Sequence, residues 1–303
     1  MNPITTSAEP LALLRANRRG VLAICAAMAC FVVNDALVKY VSQALPTAQL
    51  ILIRGVMASL LVLAVAHALG ATTRMRRIVH RWVLARAGID ALATVLYLAS
   101  LFQLPIASAT AIVMASPLFL TLLAALVLRE RVGWPRWAAT SIGFVGVLLI
   151  IQPSGSGFNA YALLCLAATA LHAVRDLVTR RIDSDVPSIL VTLATAVMAT
   201  ALAGIVSLGG PWQPFGLDEL GLLALAAVFL AAAYYAIVAG MRHGEMSVVA
   251  PFRYTGLLWA LVLGYAVWSE LPNPLAWCGI ALLLGSVLYM LHRERRRARA
   301  SRP

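Results

Sequence analysis

Long apolar stretches alternate with short polar ones along this chain. Ten of them, residues 20–41, 47–69, 83–103, 107–128, 135–151, 158–180, 187–207, 219–241, 247–269 and 273–292, are long enough to cross a bilayer. Spanning ~30 Å of hydrocarbon takes about 20 mostly apolar residues in an α-helix. A helix also satisfies its backbone N–H and C=O groups within one segment, as lipid requires. The pattern predicts an all-α polytopic membrane protein with ten transmembrane helices. The connections are short and rich in Pro and Gly, as in Gln152-Pro153-Ser154-Gly155-Ser156-Gly157 and Gly209-Gly210-Pro211.

The pattern also repeats. Asn34-Asp35, Lys39, Pro46 and Val56-Met57-Ala58 reappear as Arg175-Asp176, Arg180, Pro187 and Val197-Met198-Ala199, at a constant shift of 141 residues. Glu130 and Glu270 match at a shift of 140, each ending an apolar helix before a proline-bearing turn. With five spans per unit, the second unit enters the bilayer upside down. Two inverted five-helix repeats are the sequence signature of an alternating-access transporter. The expected division is a cytoplasmic tail (1–19), a first repeat (20–151), an external linker (152–157), a second repeat (158–292) and a basic cytoplasmic tail (293–303).

Charge fixes the orientation. Of the 24 Lys and Arg residues, 20 fall in the tails and in alternate loops, all on one side of the predicted bundle, and the opposite loops carry none. The positive-inside rule places both termini in the cytoplasm, as expected for a bacterial-type inner-membrane protein. The net charge of +12 would suggest nucleic acid in a soluble protein. Here the arginines form short runs between apolar stretches and no soluble basic module exists, so nucleic-acid binding is not expected. The chain is 12% charged and 62% hydrophobic, about half the charge of a soluble domain. Its four cysteines all sit in apolar spans without metal spacing, and its five histidines form no cluster, so neither a metal nor a cofactor is expected. Residues 1–19 are polar and the first apolar run is long enough to span, so no cleavable signal peptide is expected.

Leu128-Arg129-Glu130-Arg131-Val132, followed by a helix from Trp134 carrying Gly143 and Gly146, resembles the hallmark of EamA-type members of the drug/metabolite transporter superfamily. Trp268-Ser269-Glu270-Leu271-Pro272, followed by Gly279 to Gly285, is its second copy. Asn34-Asp35-Ala36-Leu37-Val38-Lys39-Tyr40 and Ala250-Pro251-Phe252-Arg253-Tyr254 are similar to the branch of S-adenosylmethionine uptake transporters. Arg175 is a charge that this narrower resemblance does not account for. The family resemblance implies a ten-helix bundle with a central cavity between its halves. It also implies solute movement without ATP hydrolysis by the same chain.

A charge at the centre of a span costs about 2.5–3.5 kcal/mol, so it needs a partner or a wet cavity. Lys39, Arg54, Arg175, Arg253, Asp35 and Asp176 lie within the spans, with Asp90 near an entrance. Asp35, Lys39 and Arg54 form a predicted outer set, in which Asp35 and Lys39 are one turn apart and able to pair. Arg175, Asp176 and Arg253 form a predicted inner set. Two sets flanking a midplane suit a pair of gates, or a gate and a binding site. Static ion pairs and snorkelling side chains are the competing structural explanation. Tyr97, Tyr234, Tyr254 and Trp259 are candidate cavity-lining aromatics. Arg86 and Asp90, four apart, read as a structural pair, and Glu130 and Glu270 as caps for a following helix.

The leading function is secondary transport of a small polar metabolite, S-adenosylmethionine or an amino-acid-like solute. A lipid or lipid-linked headgroup flippase is the alternative. A membrane enzyme is disfavoured by the absence of a nucleophile–base pair or metal cluster on the spans. The expected partners are a small-molecule substrate and the lipid bilayer, with a coupling proton or counter-substrate left open. The chain is expected as a monomer or homodimer. The topology is testable: single cysteines at positions 155 and 76, without the four native cysteines, should react with an impermeant reagent from outside and inside respectively. Reaction of both from one face would overturn the inverted repeat.

Overall fold

The computed structural model describes residues 8–127, 129, 133–152, 159–183, 185–243 and 246–300. The helices are α1 (Ala8–Val41), α2 (Thr47–Ala68), α3 (Arg81–Leu101), α4 (Ile106–Val113), α5 (Ser116–Leu126), α6 (Trp134–Ile151), α7 (Tyr161–Thr179), α8 (Ser188–Ser207), α9 (Leu217–His243), α10 (Met246–Val249), α11 (Thr255–Trp268) and α12 (Pro274–Ala300). Short 3-10 segments cover Ala71–Val79 and Ala250–Tyr254. No strand occurs among the described residues. Large apolar side chains such as Leu60, Ile205, Leu225, Val262 and Leu288 are exposed on the bundle, as a lipid-facing surface requires.

The repeat is visible in the backbone. Pro46 and Pro187 both hold extended backbone (ψ 141° and 130°), and α2 and α8 begin on the next residue. Proline lacks the N–H that a helix interior needs. Arg129 (φ 52°) and Ser269 (φ 55°), 140 residues apart, both adopt the left-handed conformation, which is uncommon for a residue with a side chain. At Ser269 it ends α11, with Ser269 N–H bonding Tyr265 O and Glu270 N–H bonding Gly264 O, an αL-type C-cap.

Nine helical stretches among the described residues are long and apolar enough to cross a membrane. The predicted ninth span, 247–269, is instead α10, a 3-10 segment and the 14-residue α11 in series. Pro251 lies in the first turn of the 3-10 segment, where its missing N–H is tolerated. The corresponding stretch of the first repeat is also interrupted, at a point that the 140-residue shift maps onto the junction of the 3-10 segment with α11. Between α4 and α5 the helix breaks at Met114–Ala115, just before Pro117.

Most helix pairings join one repeat to the other: α1 with α9, α2 with α8, α3 with α7 and α8, α4 with α11, and α6 with α12. The opposite sense of the repeats follows from contacts at the loops. The loops that follow α1, α3, α6, α8 and α11 share one end of the bundle. There Lys39 bonds Glu270, Asn159 bonds Gln103 O, Gln152 bonds Asn273, and Gln49 bonds the Gln213 backbone. At the arginine-bearing end Arg77 pairs with Asp185 (2.7 Å) across the loops that follow α2 and α7. Thus α1 runs toward the first end and α7, its repeat counterpart, runs away from it.

The α6–α12 crossing depends on glycine. A methyl group on Gly146 would lie 2.7 Å from Gly279 O, and one on Gly279 would lie 2.5 Å from Gly146 O. Backbone meets backbone here, so no side chain can give way, and small residues are what such membrane interfaces require. Gly146→Leu or Gly279→Leu is expected to destabilise the protein by about 1–3 kcal/mol or more, read as a lowered melting temperature in detergent. Gly88→Ala should have no such effect, since a Cβ there meets nothing within 4 Å.

Candidate functional site

Polar side chains gather in three places. The first is at the arginine-poor end. Lys39 Nζ donates to Leu104 O (2.6 Å) and to both oxygens of Glu270 (3.1 Å each), and lies 4.9 Å from the Trp268 ring centre. Glu270 also accepts from Ile106 N (3.3 Å), the first residue of α4. The left-handed turn at Ser269 aims the carboxylate here. Glu270 therefore caps a helix of the other repeat rather than the one that follows it. Lys39 reaches across to Glu270 instead of pairing with Asp35 along α1. Helix spacing identifies neighbours on one helix but is silent about a carboxylate on a distant turn. Glu130, the repeat counterpart of Glu270, lies outside the described residues.

The second group lies one to two turns deeper. Arg54 Nη2 donates to Asn34 Oδ1 (3.1 Å), and Asn34 Nδ2 donates to Asp35 Oδ1 (2.8 Å). The Tyr97 hydroxyl donates to Asp35 Oδ2 (2.6 Å). Asn34 is 1% exposed and Arg54 8%. The chain of bonds joins α1, α2 and α3 within the first repeat.

The third group centres on Asp90 of α3, which is 6% exposed. Arg175 Nη1 lies 2.7 Å from its Oδ1, Arg86 Nη1 3.4 Å from its Oδ2, and His172 Nε2 3.9 Å away. Arg175 also contacts Asp176 through Nε (2.9 Å) and Nη2 (2.8 Å). Arg86 donates to Thr179 Oγ1 (3.1 Å) and Thr195 Oγ1 (2.8 Å), which ties α3 to α7 and α8. The predicted Arg86–Asp90 pair is present, but it belongs to a larger assembly that crosses between the repeats.

A cavity of ≈ 110 Å³ lies between α2, α3, α8 and α9. Its polar lining is Arg54, Arg86, Asp90, Thr192, Thr195 and Tyr234. Gly55, Ala58, Ala196, Ala199, Ala227 and Ala231 leave room for it. Tyr234 stacks edge-on against Phe31, ring centres 5.3 Å apart.

The expected site residues are thus distributed unevenly. Arg54 and Tyr234 line the cavity, Asp35 and Tyr97 stand behind Arg54, Lys39 joins Glu270, and Arg175 and Asp176 adjoin Asp90. Arg253 is exposed on the 3-10 segment, away from the Asp90 group. Tyr254 packs against the main apolar core, and Trp259 is exposed on α11. Asn34 and Glu270 are not among the expected site residues, and Asp90 is expected only as the structural partner of Arg86. Their signal was a polar residue in an apolar run, without an indication of what it would face.

Removing the Asp90 charge leaves two guanidinium groups short of a carboxylate. Asp90→Asn is expected to destabilise by about 3–5 kcal/mol, as for a buried pair that loses one partner. Asp176→Asn, whose side chain is 45% exposed, should cost under ~1 kcal/mol. Melting curves of the two purified variants check the order.

Comparison with known proteins gives a family match over most of the chain. The EamA-like transporter family matches residues 18–152 and 159–292. A riboflavin transporter of Vibrio cholerae is 29% identical over 94% of this chain and 96% of its own. A pseudopaline exporter of Pseudomonas aeruginosa is 28% identical, over 88% of this chain and 94% of its own. An S-adenosylmethionine uptake transporter of Rickettsia prowazekii is 24% identical over 87% and 89%. One solved crystal structure superposes with a TM-score of 0.60 at 21% identity, covering 91% of this chain and 98% of that one. It shares the fold.

Proposed function

The chain belongs to the EamA-like transporter family, and from that premise we propose that it is a secondary transporter of a small polar metabolite working by alternating access. The family and the named relatives are transporters rather than enzymes. The chain is an integral membrane protein that moves a small molecule. The finer reading is ours: S-adenosylmethionine or an amino-acid-like solute as cargo, both termini cytoplasmic, and passage without ATP.

One observation carries the mechanism. The cavity is walled by α2 and α3 of the first repeat and α8 and α9 of the second, while contacts between the repeats hold the arginine-poor end together. Lys39–Glu270 is one such tie. Another is Gln49, 1% exposed, which donates to Gln213 O (2.8 Å) and accepts from Gln213 N (2.9 Å). With the arginines inside, these ties close the external face. Breaking them while the repeats rock would expose the cavity to the other side. A latch acts by favouring one state and need not touch the solute.

Proteoliposome uptake of S-adenosylmethionine, riboflavin and amino acids, with and without a proton gradient, tests the assignment. Lys39→Met and Glu270→Gln are each expected to slow flux about tenfold or more with correctly inserted protein. A cysteine at position 43, beside Lys39 in the same external pocket, should gain reactivity toward an external reagent in both variants. Unchanged flux and reactivity would remove the latch. Lipid scrambling without solute uptake would favour the flippase.

A further inference from the structure

We propose that Arg54 is the anion receptor of the central cavity, and that the solute carries a carboxylate or phosphate attached to an apolar or aromatic body. The inference rests on the transport reading above and narrows the class of cargo.

Arg54 is more than nine-tenths buried and lines the cavity. A guanidinium has five N–H donors in a planar fork. Among the described residues Arg54 uses one of them, on the neutral side-chain oxygen of Asn34. Its Nε is buried and has no hydrogen-bond partner. An unpaired buried donor costs about 1–3 kcal/mol, more when charged, so the guanidinium is left under-satisfied at the cavity wall.

The buried Lys39 and the half-buried Arg86 and Arg175 are matched differently. Lys39 touches Glu270, Arg86 touches Asp90, and Arg175 touches both Asp90 and Asp176. Arg54 makes no direct ion pair among the described residues. Asp35, the nearest counter-charge, is reached only through Asn34, and both of its oxygens are engaged, one by Asn34 and one by Tyr97. Asp35 is also absent from the cavity lining. Arg54 is thus the member of this pair that lines the cavity, while Asp35 offsets its charge from behind without occupying its donors. The charged lining residues are two arginines, Arg54 and Arg86, and one acid, Asp90, so the lining carries an excess of positive charge. An arginine fork binds carboxylate or phosphate in a bidentate fashion. Apart from Thr192, Thr195 and Tyr234, the remaining wall is apolar or small, with Leu61, Val62 and Leu230 among its residues, which suits an apolar or aromatic body.

The test uses purified full-length protein in phosphatidylcholine nanodiscs and matched ligand pairs that differ in one anionic group. The pairs are riboflavin 5′-phosphate against riboflavin, S-adenosylmethionine against its carboxyl methyl ester, and 1-naphthylacetate against 1-naphthylacetamide. Binding is read by microscale thermophoresis and by melting temperature. In at least one pair the anion should bind tenfold or more tightly than its neutral-ended partner. Arg54→Gln should abolish that preference, and Arg54→Lys, which keeps the charge but not the fork, should retain part of it. Equal affinity within every pair, no binding by any anion, or a preference that survives in Arg54→Gln would overturn the proposal. If Arg54→Gln does not fold, Arg54→Lys carries the assignment: an undiminished preference there would overturn the proposal, as would equal affinities in the wild type. Flux assays separate this from the transport reading. Anion binding at Arg54 without flux of any bound ligand would sink the transporter and leave the receptor. Flux without a preference within the pairs would do the reverse.

Discussion

Carrying charge into hydrocarbon is the constraint on which this structure turns. Apolar side chains gain little from meeting one another in lipid, since lipid is equally apolar. Buried charge must instead find a counter-charge, and the partner that it finds decides which helices are held together. Lys39 ties the end of α1 to the turn before α12 and to the start of α4. Asp90 ties α3 to α7 through Arg175. In both cases the bond crosses from one repeat to the other.

Close packing supplies the second tie. Gly146 and Gly279 let two backbones touch between α6 and α12. Both glycines belong to the stretches that follow the two acidic motifs. In its second copy the motif therefore has a physical content: a left-handed turn that aims the Glu270 carboxylate, then a helix smooth enough to pack on its counterpart. The helix break at Met114–Ala115 corresponds, 140 residues on, to the junction of the 3-10 segment Ala250–Tyr254 with α11. A symmetric pair of breaks suits a machine whose halves exchange roles.

The cavity occupies what remains between these ties. Its volume comes from small residues on α2, α8 and α9, and its polarity from a few charges at its ends. Arg54 differs from its neighbours in lacking a carboxylate in contact. That asymmetry bears on cargo, because the relatives' printed substrates include riboflavin, which has no anionic group at neutral pH, and S-adenosylmethionine, which has a carboxylate.

The architecture was legible in the sequence because hydropathy and repetition are properties of segments. Ten apolar stretches, a shift of 141 residues and one-sided arginines lead to an inverted-repeat bundle without any contact being known. The same reading located Asp35, Lys39, Arg54 and Arg175 as charges in need of explanation. It could not name their partners. Lys39 had an acid one turn away on its own helix, yet it binds one 231 residues distant. Asp90 looked like half of a local pair and proved to be shared by two helices. The ninth stretch was apolar enough to span but folds as short pieces around Pro251. Local sequence sets which groups must be satisfied. Which group satisfies them depends on helix ends and turns that meet only when the bundle has packed, and that meeting is a property of the tertiary structure alone.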